Sequence, residues 1–319
     1  MRDRPRAGIL ATGDRWHIAR LSEALDRLGC DAVALPATRL AGRVGPGGSV
    51  RSPAPGSPPL EGTGVASGDA DLDSLDALLV RFLPEGSLDQ IVFRVDALHA
   101  VHDAGLPVVN APRAIERTVD KHWTSQLLAR AGIPTPRTIA AESLEDALAA
   151  FRRFGDVLVK PLLGSGGRGN VRVTDEDLAY RVFRALQMQR AVFYVQEFVP
   201  HGRSDLRLLV VGGRVVAAAR RTGDGWKTNV AAGAVMRPHR PSPEEEDLAV
   251  RAAVAVGADY AGVDLLESDV GGRLVAEVNG IPGWSALQRT TTLDLASEVA
   301  SLVVDRIAAR RALPAVLER

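Results

Sequence analysis

The chain has 319 residues, of which 46% are hydrophobic and 24% charged. That content excludes a disordered chain and predicts two or three packed domains. Lysine plus arginine equal aspartate plus glutamate at 39 each, which argues against a surface dedicated to nucleic acid or membrane.

The single cysteine, Cys30, rules out an internal disulfide framework and a multi-cysteine zinc site. It follows Leu28-Gly29 at a helix end and reads as packing rather than as a nucleophile. No apolar run approaches the roughly 20 residues that cross a bilayer. The charged start MRDRPRAGILATGD lacks the apolar core of a signal peptide, so the cytoplasm is the expected compartment.

Residues 7–11 predict a short strand. Asp14 then caps a helix that Gly29 ends, and 31–35 is a second strand. This β-α-β opening predicts a small α/β domain, but no GxGxxG follows the first strand, so no cofactor is assigned there. Residues 41–70 are dense in Gly, Pro and Ser and predict a long mobile loop. Order returns with a strand at 76–80, a helix at 88–104 and a strand at 106–109. A boundary near Ala111-Pro112 sets the first domain at 1–111.

A helical stretch at 114–132, broken near Asp120, carries Lys121, and Ile133-Pro134-Thr135-Pro136 stops it. Ser143 caps a helix over 143–154. The segment VLVKPLLGSGGRGNVRV (157–173) then reads as strand, glycine loop, strand. Lys160 lies on the first strand, and Ser165, Gly166 and Gly167 lie in the loop. Glycines let several backbone N–H groups point at one anion, so the loop suits phosphate, although such a hairpin is also simply a flexible turn. It is not a Walker loop, because no helix opens behind a GK[ST].

A helix at 175–188 leads to a strand at 191–199 whose end, Gln196, Glu197, Phe198 and Val199, can offer backbone groups to a flat base. Residues 205–211 and 214–221 predict a hairpin around Gly212-Gly213. A two-residue turn puts Asp205 opposite Arg220, with Arg207 on the same face; a surface ion pair is the plain reading. Loop 224–229 carries Trp226, Lys227 and Asn229, and three glutamates open a helix over 243–256.

Residues 261–279 predict a second hairpin. With Val270-Gly271 as its loop, Asp264 lies opposite Glu277, and Asn279 follows on the same face. At roughly 5 Å and an effective dielectric of about 20, two facing carboxylates repel by about 3 kcal/mol. One is protonated, or the register slips, or a cation sits between them; an ordinary solvated polar face is the alternative. Two carboxylates and an amide oxygen are hard donors that suit magnesium. A loop or short helix over 281–291 and a helix over 293–310 close the chain. His17, His99, His102, His122, His201 and His239 show no metal-like spacing.

Singly these signals are weak, but their order resembles the RimK-like ATP-grasp amino-acid ligases across 114–309. The resemblance implies an α+β ATP-grasp fold: a small N-terminal α/β domain, then two α+β subdomains, 112–190 and 191–319, clamping ATP. The Gly/Pro-rich insert departs from the family pattern. By resemblance, Lys121 and Lys160 hold phosphates with the glycine flap, and Gln196 to Val199 form the adenine hinge. Asp205, in a DxR motif with Arg207, binds the ribose. Asp264, Glu277 and Asn279 hold two magnesium ions, with manganese as a substitute. Arg221 matches the family's transition-state arginine; the hairpin count instead selects Arg220, a bulge would reconcile the two, and the resemblance favours Arg221. Lys227 and Asn229 match the loop at the triphosphate end.

The implied reaction adds L-glutamate or a similar amino acid to a carboxyl group through an acyl phosphate. Residues 80–125 and 279–291 resemble the branch that acts on tetrahydromethanopterin-type pterins. The second stretch follows directly on the metal ligands, which would place Trp284, Gln288 and Arg289 beside the reacting carboxyl of a small acid; Trp284 as mere packing is the alternative. A homo-oligomer is compatible with the resemblance. The competing functions are a ligase acting on a protein or peptide C-terminus, a non-catalytic ATP-binding regulator and a kinase-like phosphotransferase.

Overall fold

A computed structural model describes residues 4–44, 64–164, 166–230, 233–269 and 271–312. The chain divides into two compact units, Met1–Ile115 with Leu293–Arg319, and Glu116–Thr292. This differs from three consecutive domains: the boundary falls a few residues later than 111, and the C-terminal helix, Leu295–Ala312, groups with the N-terminal unit.

In the first unit, β1 (Arg6–Ala11), α1 (Arg15–Arg27) and β2 (Asp31–Pro36) form the β-α-β opening. Past residue 36 come β3 (Leu40–Arg43), β4 (Gly64–Ser67), β5 (Ala70–Asp71), β6 (Ala77–Val80), α2 (Leu88–Asp103) and β7 (Val108–Val109). The main sheet is parallel, in the order β2-β1-β6-β7. The interior strands β1 and β6 are therefore nearly continuous apolar runs. Gly8 of β1 has no room for a side chain, since a Cβ would lie within 2.9 Å of Leu35, Leu75 and Leu78.

Two expectations fail here. The two ends of the predicted loop are ordered, because residues 40–43 and 64–71 pair as an antiparallel sheet, β3-β4-β5, and buried Arg43 binds Asp71 at 2.6 Å. Gly- and Ala-rich strands carry little intrinsic strand signal, and pairing overrides it; residues 45–63 lie outside the described residues. Asp14 stands at the α1 N-terminus but makes no capping bond. Its carboxylate instead meets His17 Nδ1 at 2.6 Å and buried Arg81 at 3.1 Å. Cys30 is buried, and burial pushes its thiol up, as suits a packing residue.

The second unit holds two antiparallel sheets. α3 (Pro112–Val119) spans the boundary, and α4 (Lys121–Arg130) follows. The first sheet, in the order β10-β9-β11-β8, comprises β8 (Thr138–Ala141), β9 (Val157–Lys160), β10 (Val171–Val173) and β11 (Phe193–Glu197). It packs α5 (Leu144–Phe154) and α6 (Glu176–Met188) over a core that includes Phe151, Val157, Phe183 and Phe193. β9 and β10 are the two arms of the glycine flap.

The second sheet, in the order β14-β13-β12-β15-β16, comprises β12 (Ser204–Val211), β13 (Arg214–Thr222), β14 (Val235–Pro238), β15 (Tyr260–Glu267) and β16 (Arg273–Asn279). α7 (Pro243–Val256) packs on it, started by a Ser242–Glu245 capping box, and the short α8 (Ser285–Gln288) follows β16.

Two bulges set the registers that matter. One, between Leu209 and Val210, brings Arg221 opposite Asp205 and Arg220 opposite Leu206. The two-residue-turn count thus fails by one residue, and the bulge reconciles it with Arg221. In the β15–β16 hairpin, Asp264 does lie opposite Glu277 and Gly262 opposite Asn279. The assumed turn is wrong, however: the Ser268 N–H donates to the Gly272 carbonyl at 3.1 Å, and Glu267 pairs with Arg273. A bulge between Asp264 and Leu265 cancels that one-residue offset.

Candidate active site

Side chains alternate along a strand, so Asp205 and Arg207 of β12 share a face with Arg221 of β13, Asp264 of β15, and Glu277 and Asn279 of β16. Arg221 is buried and donates Nε to Asp205 Oδ1 at 2.7 Å and Nη2 to Asp205 Oδ2 at 2.5 Å. Its Nη2 also lies 2.9 Å from Asp264 Oδ2, and Arg207 Nε lies 2.9 Å from Asp264 Oδ1. The buried Thr228 hydroxyl donates to Asp205 Oδ2 at 2.7 Å. Burial works to lower the Arg221 pKa, but Asp264 first and then Asp205 outweigh it and hold the group above its ordinary value. Two guanidinium groups therefore lie against Asp264, one of the two facing carboxylates.

The lysines enter from the first sheet and α4. Lys160, at the end of β9, donates to Gln196 Oε1 at 2.5 Å. The Gln196 amide donates in turn to Thr138 Oγ1 at 3.0 Å and to the Tyr194 hydroxyl at 3.2 Å. The Lys160 side chain is only half-buried overall, but its ammonium is enclosed. Burial pulls its pKa down to about 8, with nearby Lys121 acting the same way and Glu277 and Asp264 opposing. Lys121 opens α4 behind an Asp120 cap and donates to the Gly164 carbonyl at 2.6 Å. Burial lowers its pKa too, against the pull of Glu277.

On the flap, Gly166 and Gly167 have φ of 71° and 69°, a region that strongly favours glycine. Asn229 Nδ2 donates to the Gly166 carbonyl at 2.7 Å, and a Cβ on Gly167 would come 3.2 Å from Asn229 Oδ1. Ser165 lies outside the described residues. At the hinge, two backbone donors expected to meet a base are already used: Glu197 N–H binds the Arg137 carbonyl at 2.8 Å, and Phe198 N–H binds that of Asp156 at 2.9 Å. The Phe198 ring carries the Arg172 guanidinium 3.6 Å from its centre.

These groups line one cleft of about 790 Å³, part of it open solvent. Lys160, Gly166, Gly167 and the hinge residues Gln196, Glu197, Phe198 and Val199 line it. So do Asp205, Arg207, Arg221, Lys227, Asn229, Asp264, Glu277 and Asn279. Lys121 lines a smaller adjoining recess with Lys160 and Glu277.

Four candidates are not brought in. Arg220 faces the other way, bonded to Ser204 Oγ at 3.2 Å and to Glu267. Trp284 is only 1% exposed and presents no face to a substrate. Gln288 and Arg289, near α8, do not line the cleft either, and Arg289 is exposed. Thr228 and Asn170 do line it and were not anticipated. Thr228 had one available signal, a hydroxyl residue between Lys227 and Asn229.

A model of the RimK-like ATP-grasp domain matches residues 118–303. The chain belongs to the RimK-like ATP-grasp family. It is 33% identical over 250 residues to the tetrahydromethanopterin:α-L-glutamate ligase of Methanosarcina acetivorans, covering 69% of this chain and 77% of that protein. It is 33% identical over 237 residues to a probable α-L-glutamate ligase of Legionella pneumophila, covering 73% of this chain and 77% of that one. Among solved structures, the ATP-grasp ligase PsnB, complexed with a phosphomimetic variant of its minimal precursor, Mg and ADP, superposes with a TM-score of 0.69. That match is at 20% identity, over 95% of this chain and 98% of PsnB, and supports the fold alone.

Within this RimK-like site the hard oxygens of Asp264, Glu277 and Asn279 suit a divalent ion of the magnesium type. Asp264 Oδ1 accepts no hydrogen bond of good geometry despite its nearness to Arg207, so the donor set fits. Among the described residues no cluster of three or more His, Cys, Asp or Glu forms a metal site, and no helix is long and apolar enough to cross a membrane.

Proposed function

We propose that this RimK-like ligase joins L-glutamate to the carboxyl group of a small acid, with a tetrahydromethanopterin-type pterin as the first acceptor to test. The observation that carries the reading is the convergence of Lys160, Arg207, Arg221, Asp264, Glu277 and Asn279 on one cleft under a glycine flap. The names of the Methanosarcina and Legionella relatives support the amino acid, and the first of them supports the acceptor.

Phosphoryl transfer needs alignment and charge neutralisation more than covalent help. The acceptor carboxylate attacks the γ-phosphorus of ATP, giving an acyl phosphate and ADP. The glutamate amine then attacks the acyl carbon, phosphate leaves, and the amine proton passes to solvent. Lys121 and Lys160 bind phosphate oxygens, and Arg221 meets the charge that develops on the transferred group. The glycine flap, bonded to Asn229 and sharing the cleft with Lys227, excludes water from the acyl phosphate. Asp264, Glu277 and Asn279 would hold two magnesium ions, or manganese in their place, which would neutralise phosphate oxygens.

The test is purified protein with ATP, magnesium and L-glutamate against a panel of small acids, a pterin cofactor and peptides, read by ADP release and product mass. One added glutamate on the pterin or another small acid is the expected result. Extension of peptides alone would move the acceptor class and keep the ligase. A phosphorylated product without amide would indicate a phosphotransferase, and ATP binding without turnover a regulator.

A further inference from the structure

Thr228 is buried in the cleft, and nothing in the proposed chemistry gives it a task. Its hydroxyl donates to Asp205 Oδ2 at 2.7 Å, the oxygen that also accepts Arg221 Nη2 at 2.5 Å. Asp205 Oδ1 accepts Arg221 Nε at 2.7 Å. Both carboxylate oxygens are thus committed, and Thr228 limits rotation of the carboxylate that aims Arg221. The next residue, Asn229, donates to the Gly166 carbonyl of the flap at 2.7 Å. Consecutive residues therefore grip the arginine's anchor on one side and the flap on the other. With one peptide unit between them, neither grip can shift far without moving the other.

We propose that Thr228 is a positioning residue, and that the Thr228-Asn229 pair couples flap closure to the alignment of Arg221. An open flap then leaves Arg221 misaimed, so ATP is not spent when the acyl phosphate would meet water. The inference rests on the proposed nucleotide site but concerns a residue that the reading does not assign.

The test compares wild type with Thr228→Val, Thr228→Ser and Asn229→Ala, each checked for folding by thermal melting. The readouts are kcat, KM for ATP, the ratio of ADP to amide product, and trypsin cleavage at exposed Arg168 of the flap with and without a non-hydrolysable ATP analogue and magnesium. Losing a hydrogen bond to a charged group predicts a fall in kcat of roughly tenfold to a hundredfold in Thr228→Val, with KM for ATP changed by less than about threefold. The ratio of ADP to amide should rise above one, and the analogue should no longer protect Arg168. Thr228→Ser should restore both. Asn229→Ala breaks the other grip and should lose protection and coupling even if Thr228→Val folds poorly.

Either folded variant that turns over, couples and protects like wild type overturns the inference and leaves the proposed function standing. Wild-type protein showing neither ADP release nor analogue protection removes the proposed function, and the inference with it.

Discussion

Asp264 and Glu277 face each other across one strand pair, yet their surroundings differ. Asp264 is buried between Arg207 and Arg221, whereas Glu277 is half-buried with Lys121 and Lys160 nearby. From sequence alone, neutralising either carboxylate relieves repulsion. The structure separates them. Asp264→Asn leaves Arg207 without its partner and Arg221 with one fewer, and should lower the stability of the nucleotide-free protein by about 2 kcal/mol. Glu277→Gln removes the repulsion with Asp264 but also the charge opposite Lys121 and Lys160, so its Tm should shift less than that of Asp264→Asn. Both should abolish turnover. Thermal melting of the two variants checks this, and equal Tm shifts would contradict the pairing.

Lys160 adds a pH dependence at the same scale. Its folded pKa, about 8, lies below the ordinary lysine value of 10.5. Between those two pH values the unfolded chain holds more protons than the folded one, so stability of the free protein should rise with pH across that window. Nucleotide affinity should do the opposite, weakening as pH rises through about 8 and the ammonium loses its charge. Calorimetric titration of an ATP analogue across this range reads the effect, and a flat profile would remove Lys160 from the phosphate site.

At the scale of elements, the site depends on one position of β15 carrying no side chain. Gly262 shows this, because a Cβ there would fall on Arg207 Nη1 and within 2.9 Å of Pro282. Gly262→Ala should push Arg207 off Asp264, lower kcat at least tenfold and cost roughly 1–3 kcal/mol of stability. Wild-type kinetics in that variant would show that Arg207 does not need its present seat.

The sequence carried most of these elements, because apolar alternation, caps and glycine turns mark them locally. It left no local mark of the bulges at Leu209 and Asp264, which depend on cross-strand packing; the first was inferred only by setting the hairpin count against the family's arginine. The Asp264–Glu277 pairing was legible only because a misread turn and an unseen bulge offset each other. Arg220 and Trp284 were misplaced for related reasons. A one-residue register error turns a side chain to the opposite face, and adjacency in sequence to a metal-binding strand does not decide whether a tryptophan faces the cleft or the core. β3, β4 and β5 were missed because their composition resembles a loop and only their pairing orders them.

At the scale of the molecule, the family match spans residues 118–303 and takes in the cleft, whose lining residues all belong to the second unit. The proposed acyl phosphate is the step that would unite lysines, arginine, carboxylates and flap in one purpose. Its most direct measurement places oxygen-18 in both oxygens of the acceptor carboxylate and follows turnover with ATP, magnesium and L-glutamate. Attack by that carboxylate requires ADP as the nucleotide product and one labelled oxygen in each phosphate released with the amide. Phosphate without label, or AMP and pyrophosphate in place of ADP, would contradict it.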